Sequence, residues 1–274
     1  MNPFLTTYSL ANRTGLLNFP TAQSLFSHAY FAYKKWIEDP YTPLVQKSPE
    51  LFKGGNILDV GANIGYTAAL FAKVVSPGFR VYAFEPEDRN FKMLKHSVSR
   101  GILEGTVIPI CAAVGDKNEM GELWLNPEHH ADHRMVTPSF HGKNGARAET
   151  QRIPIIRLDD FCSKTFPDDP VRLIKIDVQG YEECVCRGMQ QLLISNPQAF
   201  VGLEYYPHGM ESLGFKGSTV LHFFEERDYF VYSLSRQHGL QKVQYADIVK
   251  IIGATGYVDL LFSKSVTILD GVSR

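Results

Sequence analysis

Five residues that could bind a polar ligand follow short apolar runs in this chain. They are Gly61, Glu85, Asp116, Asp177 and Glu204. Short apolar runs bounded by turn residues are typical of buried strands, and the carboxyl ends of parallel strands share one edge of a sheet. We therefore expect these residues to converge at one edge, where α/β proteins bind their ligands.

The stretch over residues 56–65, NILDVGANIG, predicts a strand, a tight glycine turn and the start of a helix. Gly61 and Gly65 lack a Cβ atom, so the turn can adopt unusual dihedral angles and approach a ligand closely. Asn63 is a residue type that tolerates positive φ. Taken alone, the turn is also compatible with an ordinary connection between a strand and a helix, in which glycine serves the geometry only.

The spacing of this turn favours a cationic nucleoside as the ligand. A dinucleotide site requires G-x-G-x-x-G, whereas residues 59–65 read D-x-G-x-N-x-G. The carboxylate of Asp59 would repel a phosphate and could help to hold an ammonium group. Glu85 ends the next predicted strand, where an acidic side chain can accept both hydroxyls of a ribose. S-adenosylmethionine contains the ammonium group and the ribose but no phosphate, so it is the predicted cofactor.

Candidate catalytic bases are Asp177, His133 and Glu204, with His208 behind them. A base is needed only where a substrate hydroxyl must lose its proton. His133 has a suitable pKa by residue type, although an ordinary surface histidine is an equal alternative. Asp177 is placed best because it ends a predicted strand, yet it could orient the substrate or the sulfonium without accepting a proton.

A polar loop between two short predicted strands could contact a ligand. Its polar residues include Asn126, His129, His130, Asp132, His133, Arg134 and His141. No H-x-x-x-H helix and no Cys/His spacing supports a metal site, so no metal is predicted. The loop is expected to be solvated or to clamp a substrate or cofactor through Asn126 and residues 132–134.

Seven strands are predicted, over residues 56–60, 81–85, 106–114, 173–178, 200–205, 229–234 and 257–262. Helical patterns between them, including one over residues 182–194, predict an α/β fold with right-handed crossovers. The sheet is expected to be mostly parallel, with the last strand antiparallel and helices on both faces. Residues 117–169 are predicted to form an insertion resembling a β-hairpin, with strands near residues 123–125 and 151–155.

Residues 1–52 are predicted to form a helical cap that precedes the main domain of residues 53–274. Proline-rich turns separate the helical patterns of this segment. Two arrangements are open: the helices could simply cover a sheet edge, or they could also form one wall of a substrate pocket.

Composition excludes several classes of protein. The formal net charge of −1 gives no overall electrostatic footprint for nucleic acid. Four cysteines without a C-x-x-C pair favour buried thiols over a disulfide scaffold. No signal-peptide pattern and no run of about eighteen apolar residues is present, so we expect a soluble, cytoplasmic protein without a membrane partner. The sequence leaves open whether the chain forms a homo-oligomer.

Four motifs together resemble the FkbM family of S-adenosylmethionine-dependent methyltransferases. They are DVGANIG at residues 59–65, FEP at 84–86, RLDD at 157–160 and KIDVQGYE at 175–182. The resemblance covers about residues 50–210 and implies a class I methyltransferase fold, Rossmann-like with seven strands. It also implies O-methyl transfer to a hydroxyl of a sugar, a natural product or another small molecule.

The resemblance further implies residue roles. Residues lining the methionine part would be Asp59, Gly61, Ala62, Asn63 and Gly65. Glu85 would bind the ribose, Ala113 or Asp116 the adenine edge, and Asp177 would face the methyl group. Members of the family often have Glu where this chain has Gln179. Two other functions remain as alternatives: an RNA methyltransferase, and a nucleoside-binding protein without catalysis.

Overall fold

The computed structural model describes residues 20–99, 101–127, 129, 131–140, 149–252 and 256–265. Residues 1–19 of the predicted cap, and His130 and His141 of the predicted polar loop, lie outside the described residues. The described residues form an α/β structure with an eight-stranded sheet and a second sheet of four strands.

The eight-stranded sheet is built mainly from the predicted apolar runs. In chain order, the strands of both sheets are β1 (Asn56–Val60), β2 (Val81–Phe84), β3 (Val107–Ile110), β4 (Ala113–Gly115), β5 (Glu119–Trp124), β6 (Arg134–Met135), β7 (Thr150–Arg157), β8 (Val171–Ile176), β9 (Phe200–Tyr205), β10 (Phe230–Ser235), β11 (Gly239–Val243) and β12 (Val258–Ser263). The larger sheet has the order β11-β10-β12-β9-β8-β1-β2-β3. Strand β12 is antiparallel to both β9 and β10, whereas β3, β2, β1, β8 and β9 run parallel. The predicted antiparallel last strand is therefore confirmed.

Helices pack on both faces of this sheet, as predicted. They are α1 (Pro20–Tyr33), α2 (Tyr41–Lys47), α3 (Tyr66–Phe71), α4 (Asp88–Ser97), α5 (Leu158–Thr165), α6 (Glu182–Arg187), α7 (Gln190–Ser195), α8 (Pro207–Ser212), α9 (Gly217–Glu225) and α10 (Ile248–Ile251). Leu58 of β1 belongs to a core shared with α5 to α9, whereas its neighbour Ile57 belongs to a core shared with α2, α3 and α4. Because side chains alternate along a strand, these two cores lie on opposite faces.

The predicted number of seven strands is wrong. The additional strand, β11, pairs antiparallel with β10 at the edge of the sheet. Its sequence, GLQKV, has one buried side chain, that of Leu240. The apolar run that marks a buried strand is therefore missing, because an edge strand packs little of its surface.

The predicted third strand over residues 106–114 is two strands in different sheets. Strand β3 ends at Ile110 in the larger sheet, and β4 begins at Ala113 in the second sheet, whose order is β4-β7-β5-β6. The predicted hairpin corresponds to the antiparallel pair of β5 and β7, which runs from Glu119 opposite Ile155 to Trp124 opposite Thr150. The insertion is thus larger than a hairpin, since β4 and β6 extend it.

The predicted helix over residues 182–194 is broken into α6 and α7 at Gly188. A Cβ atom on Gly188 would overlap the carbonyl oxygen of Gly115 on β4, so only glycine fits this close approach. Asp159 then holds the start of the next helix, because its Oδ1 accepts the N–H of Leu192 at 2.8 Å. The RLDD motif therefore has a structural role in joining α5 to α7.

Three of the four cysteines, Cys162, Cys184 and Cys186, are buried free thiols, as predicted, and Cys111 is partly exposed. In the described part of the chain, no helix combines the length and the apolar character needed to cross a bilayer.

Candidate functional site

A cavity of about 510 Å³ opens at the carboxyl ends of the parallel strands. Its walls also include the N-terminal helices, the insertion and the start of β12. The predicted site residues that line it are Gly61, Ala62, Asn63, Glu85, Ala113, His133, Asp177 and Glu204. The predicted residues Asp59, Gly65 and Asp116 do not line it.

Gly61 is required by packing against the main chain, whereas Gly65 is favoured by its left-handed backbone conformation. Gly61 has a φ of 79°, and a Cβ atom there would overlap the carbonyl oxygen of Asp177. Gly65 has a φ of 91°, and a Cβ atom there would lie 2.6 Å from Leu94 Cδ1. The sequence suggested that a ligand approaches the turn closely. In the structure, the main chain of Asp177, which follows β8, lies against Gly61, which follows β1.

Glu85 is a buried carboxylate in the cavity wall. Its Oε2 accepts the N–H of Asn63 at 2.9 Å, and its Oε1 accepts the N–H of Glu87 at 3.0 Å. Burial raises the pKa of Glu85 to about 8, and repulsion from Glu87 adds to this effect. The side chain of Asn90 is a third hydrogen-bond donor to Glu85. A carboxylate has about four acceptor sites, so the ionised group can accept one further hydrogen bond from a hydroxyl in the cavity.

A buried ion pair lies behind the glycine turn. Lys175 Nζ lies 3.4 Å from Asp59 Oδ1 and 3.4 Å from Asp177 Oδ2, and it donates to the carbonyl oxygen of Gly61 at 3.1 Å. The other oxygen of Asp59 accepts the hydroxyl of Thr67 at 2.6 Å. Asp59, which is 0% exposed, is therefore held by the protein and does not reach the cavity.

Lys175 was absent from the residues inferred from the sequence. The signal was available, because Lys175 is a charged residue within the apolar run of β8 and is 6% exposed. A lysine is almost never buried unless it is paired, so a carboxylate on the neighbouring strand was to be expected.

Asp177 and Glu204 are joined by the amide of Gln179. This amide donates to Asp177 Oδ1 at 2.7 Å and to Glu204 Oε2 at 3.0 Å. Burial opposes ionisation of Asp177, but Lys175 and Lys34 outweigh it, so the pKa of Asp177 is lowered. Burial, together with the charge of Asp177, raises the pKa of Glu204 well above its usual range. One carboxylate therefore stays charged while its neighbour tends to hold a proton.

A third carboxylate, that of Asp259, also lines the cavity. It lies directly opposite Glu204 in the antiparallel pairing of β12 with β9. Burial, followed by the charge of Asp177, raises the pKa of Asp259 to about 7. Sequence reasoning missed this residue, although an antiparallel last strand must begin at the edge where the parallel strands end.

Residues of the N-terminal helices line one wall of the cavity. A π-helical turn, Lys34–Glu38, follows α1, and both of its terminal side chains line the cavity as an ion pair. Tyr30 of α1 packs in a small core with Ile64 of the glycine turn. This contact fastens the wall to the turn, and π-helical turns are frequent at functional sites.

The insertion supplies the opposite wall through Asp132, His133 and Arg134. Arg134 pairs with Asp132 at 2.8 Å, and Asn126 Nδ2 donates to Asp132 at 2.9 Å. His133 Nδ1 accepts the N–H of Asn126 at 3.0 Å, and burial lowers the pKa of His133 to about 4. The neutral ring thus carries its proton on Nε2, which suits a hydrogen-bond donor better than a base. His208 does not line the cavity.

The two residues considered for an adenine edge are separated. Ala113 on β4 lines the cavity beside Pro86. Asp116 lies beyond the end of β4, where its carboxylate pairs with Arg187 at 3.0 Å. Of these two residues, only Ala113 is placed to contact a ligand in the cavity.

Asn63 lines the cavity, and its Oδ1 is a buried acceptor that has no hydrogen-bond partner among the described residues. Buried polar atoms are nearly always paired, so this oxygen is an exception within the glycine turn. Within the described residues, no group of three His, Cys, Asp or Glu side chains is placed to hold a metal ion.

Comparisons with known proteins agree with the family resemblance. Residues 59–231 match the family model described as the methyltransferase FkbM domain. No curated protein matches the chain significantly.

Several solved structures are similar in fold. The methyltransferase FkbM from Methylobacillus flagellatus KT is 16% identical with a TM-score of 0.49, and the match covers 76% of this chain and 43% of that protein. The O-methyltransferase TomG from Streptomyces achromogenes, in complex with S-adenosylmethionine, is 12% identical with a TM-score of 0.49, over 96% and 89%. An rRNA methylase from Streptococcus thermophilus is 13% identical with a TM-score of 0.45, over 83% and 98%. These similarities do not indicate which substrate this chain acts on.

Proposed function

The chain belongs to the FkbM methyltransferase domain family, and we propose that it is an S-adenosylmethionine-dependent O-methyltransferase acting on a hydroxyl of a small molecule, natural product or sugar. The observation that supports the cofactor most directly is Glu85, a buried carboxylate that lines the cavity and accepts the N–H of Asn63 on the glycine turn. A carboxylate in this position fits a ribose hydroxyl of this cofactor.

The residues on the two sides of the cavity then have different tasks. Ala62, Asn63, Glu85 and Ala113 bind the methyl donor, whose sulfonium supplies an activated methyl group. The walls formed by α1 and by the insertion orient the acceptor and exclude water, which is most of what such a displacement requires of a protein.

Glu204 is the proposed base among the candidate residues. A base works best when its pKa lies near the working pH, and the pKa of Glu204 is raised, whereas that of Asp177 is lowered. Asp177 is held by Lys175 and Gln179, so its proposed role is to orient the reacting groups. His133 is proposed to donate a hydrogen bond to the acceptor.

A screen with a radiolabelled methyl donor tests this proposal. Acceptors would include hydroxylated metabolites, glycans and total RNA. We expect label in the small molecules or glycans, and we expect Glu204→Gln to reduce transfer by about 10²–10⁴-fold while binding of S-adenosylhomocysteine is retained. Label in RNA alone would replace the proposal with an RNA methyltransferase. Cofactor binding without transfer to any acceptor would favour a nucleoside-binding protein.

A further inference from the structure

Two adjacent hydroxyl side chains, those of Tyr66 and Thr67, line the cavity directly after the glycine turn. They are the first two residues of α3. Each hydroxyl is hydrogen-bonded to a group behind the cavity wall. A hydroxyl has one proton and two lone pairs, so the direction of these bonds decides whether its oxygen can donate to a ligand or only accept from it. We call Tyr66 and Thr67 the hydroxyl pair.

The proton of Thr67 is directed away from the cavity. Its hydroxyl donates to Asp59 Oδ2 at 2.6 Å, and Asp59 is 0% exposed. Lys175 Nζ lies 3.4 Å from the other oxygen of this carboxylate, which can accept hydrogen bonds but cannot donate one when it is ionised. The oxygen of Thr67 therefore presents only lone pairs to the cavity.

The proton of Tyr66 is directed away from the cavity by Thr42. Thr42 Oγ1 donates to Asp39 Oδ2 at 2.6 Å, and the phenol oxygen of Tyr66 lies 2.6 Å from the same Thr42 oxygen. Thr42 has no second hydroxyl proton, and two oxygens at this distance need a proton between them, so the phenol is the donor. Phe31 packs edge-on against the Tyr66 ring, with ring centroids 5.4 Å apart, and holds it in place. The phenol oxygen thus also presents only lone pairs to the cavity.

A buried carboxylate stands behind each hydroxyl of the pair. Asp39 is 4% exposed, and its Oδ2 accepts both the N–H and the hydroxyl of Thr42 at 2.6 Å. Burial raises the pKa of Asp39, and these two hydrogen bonds oppose that effect because they favour the charged form. Hydrogen bonds in a chain polarise one another, so a hydroxyl that donates toward a carboxylate becomes a stronger acceptor. The pair therefore favours a ligand group that carries several N–H donors and a positive charge.

We propose that the hydroxyl pair binds the ammonium group of the methyl donor, and that Thr42 is a positioning residue that turns the proton of Tyr66 away from the cavity. This inference rests on the proposed function, because it takes S-adenosylmethionine as the donor. The ammonium group can only donate hydrogen bonds, whereas the carboxylate of the same amino acid part can only accept them. The pair would therefore also determine which way the amino acid part lies.

This arrangement replaces the direct contact that the sequence suggested for Asp59. The Asp59 carboxylate does not line the cavity, but it acts on the cavity through the hydroxyl of Thr67. Asp39 and Thr42 precede residues 59–231, which match the family model. The N-terminal helices of this chain would thus contribute to binding of the methyl donor.

Calorimetry with three ligands and no acceptor tests this inference. The ligands are S-adenosylhomocysteine, its deamino analogue, in which hydrogen replaces the amino group, and its decarboxy analogue, in which hydrogen replaces the carboxyl group. We expect the unaltered protein to bind S-adenosylhomocysteine about tenfold or more tightly than the deamino analogue, because hydrogen bonds to charged groups are strong. Tyr66→Phe and Thr42→Val should each reduce this ratio by about 3–10-fold and leave the affinity for the deamino analogue unchanged. Thr42→Ser, which keeps the hydroxyl, should retain the ratio.

Two variants outside the cavity are the matched controls. Thr137→Val and Tyr245→Phe each remove a hydroxyl that donates to a main-chain carbonyl at 2.8 Å, and neither residue lines the cavity. Both should keep the ratio of the unaltered protein. The double variant of Thr42→Val and Tyr66→Phe should equal Tyr66→Phe alone, because Thr42 acts only through the phenol. Additive losses in the double variant would overturn the positioning role.

A ratio that stays the same in Tyr66→Phe and in Thr42→Val would overturn the inference while leaving the proposed cofactor intact. Equal losses for S-adenosylhomocysteine and the deamino analogue would also overturn it, since they would indicate a structural role. The decarboxy analogue keeps the ammonium group, so Tyr66→Phe should weaken its binding as well, and an unchanged affinity would assign Tyr66 to the carboxylate instead. Absence of binding by all three ligands would refute the proposed function. Thermal unfolding identifies any loss of folding, and Tyr66→Phe alone decides the test if Thr42→Val does not fold.

Discussion

The pH dependence of cofactor binding should report directly on Glu85. This carboxylate is 6% exposed, and its pKa is raised by burial to about 8. A ribose hydroxyl donates most strongly to the remaining acceptor site when Glu85 is ionised, so binding removes its proton below pH 8. With a pKa of about 8, the ionised fraction rises from about one tenth at pH 7 to about nine tenths at pH 9. We therefore expect the affinity for S-adenosylhomocysteine to rise about tenfold over this range.

Calorimetry in two buffers of different ionisation enthalpy provides the assay. Near pH 6.5, binding should release about one proton per ligand, and at pH 9.5 it should release almost none. In Glu85→Ala, affinity at pH 9 should fall by about 1–3 kcal/mol, because a ribose hydroxyl loses a charge-assisted partner. The loss should be smaller at pH 6, where the unaltered protein must itself give up a proton.

Asp116→Ala serves as the control for this prediction, because Asp116 is paired with Arg187 outside the cavity. Its affinity and its proton release should match those of the unaltered protein. The assignment of Glu85 to the ribose would be refuted by an affinity that does not change with pH. It would be refuted equally by proton release that persists in Glu85→Ala.

Three further predictions concern folding stability, measured by chemical denaturation. Gly61→Ala should lower the free energy of unfolding by about 3 kcal/mol or more, because its Cβ atom would overlap a main-chain carbonyl. Gly78→Ala is the control: Gly78 has a φ of 93° and no atom within 4 Å of the added Cβ, so it should lower the free energy of unfolding by about 1 kcal/mol. Equal costs would contradict the packing role of the turn. Lys175→Met should cost about 3–5 kcal/mol by leaving Asp59 buried without its counter-charge; a loss below 1 kcal/mol would contradict that pairing. Asp259 binds its proton more tightly in the folded state than in the unfolded state. The free energy of unfolding should therefore fall as the pH rises from about 4 to about 7, and Asp259→Asn should make this fall shallower.

The central strands and the edge that holds the site were predictable from the sequence. Strands β1, β2, β8 and β9 are short apolar runs because both of their faces are buried, and their parallel direction follows from the alternation with helices. Glu85, Asp177 and Glu204 were found for the same reason, since each ends or directly follows one of these runs. The antiparallel last strand followed from the absence of a clear helical pattern before it.

The parts that were not predictable depend on contacts distant in the sequence. Asp116 was expected at the same edge because residues 106–114 read as one strand, yet the chain leaves the larger sheet after Ile110 and enters the second sheet at Ala113. Periodicity cannot reveal such a change of partner, because both segments remain extended and partly buried. The place of Lys34 in the cavity likewise depends on how α1 packs against the glycine turn, which no local pattern encodes.

The departure at Gln179 is explained by its two carboxylate neighbours, Asp177 and Glu204. An ionised glutamate at this position could donate to neither Asp177 nor Glu204, and it would add a further negative charge between two carboxylates. The glutamine amide instead donates at 2.7 Å and 3.0 Å, one hydrogen bond to each neighbour. These bonds favour the charged form of Asp177 while Glu204 remains free to hold or release a proton. The glutamine, which replaces a charge often present in the family, thus allows Asp177 to stay ionised while Glu204 titrates.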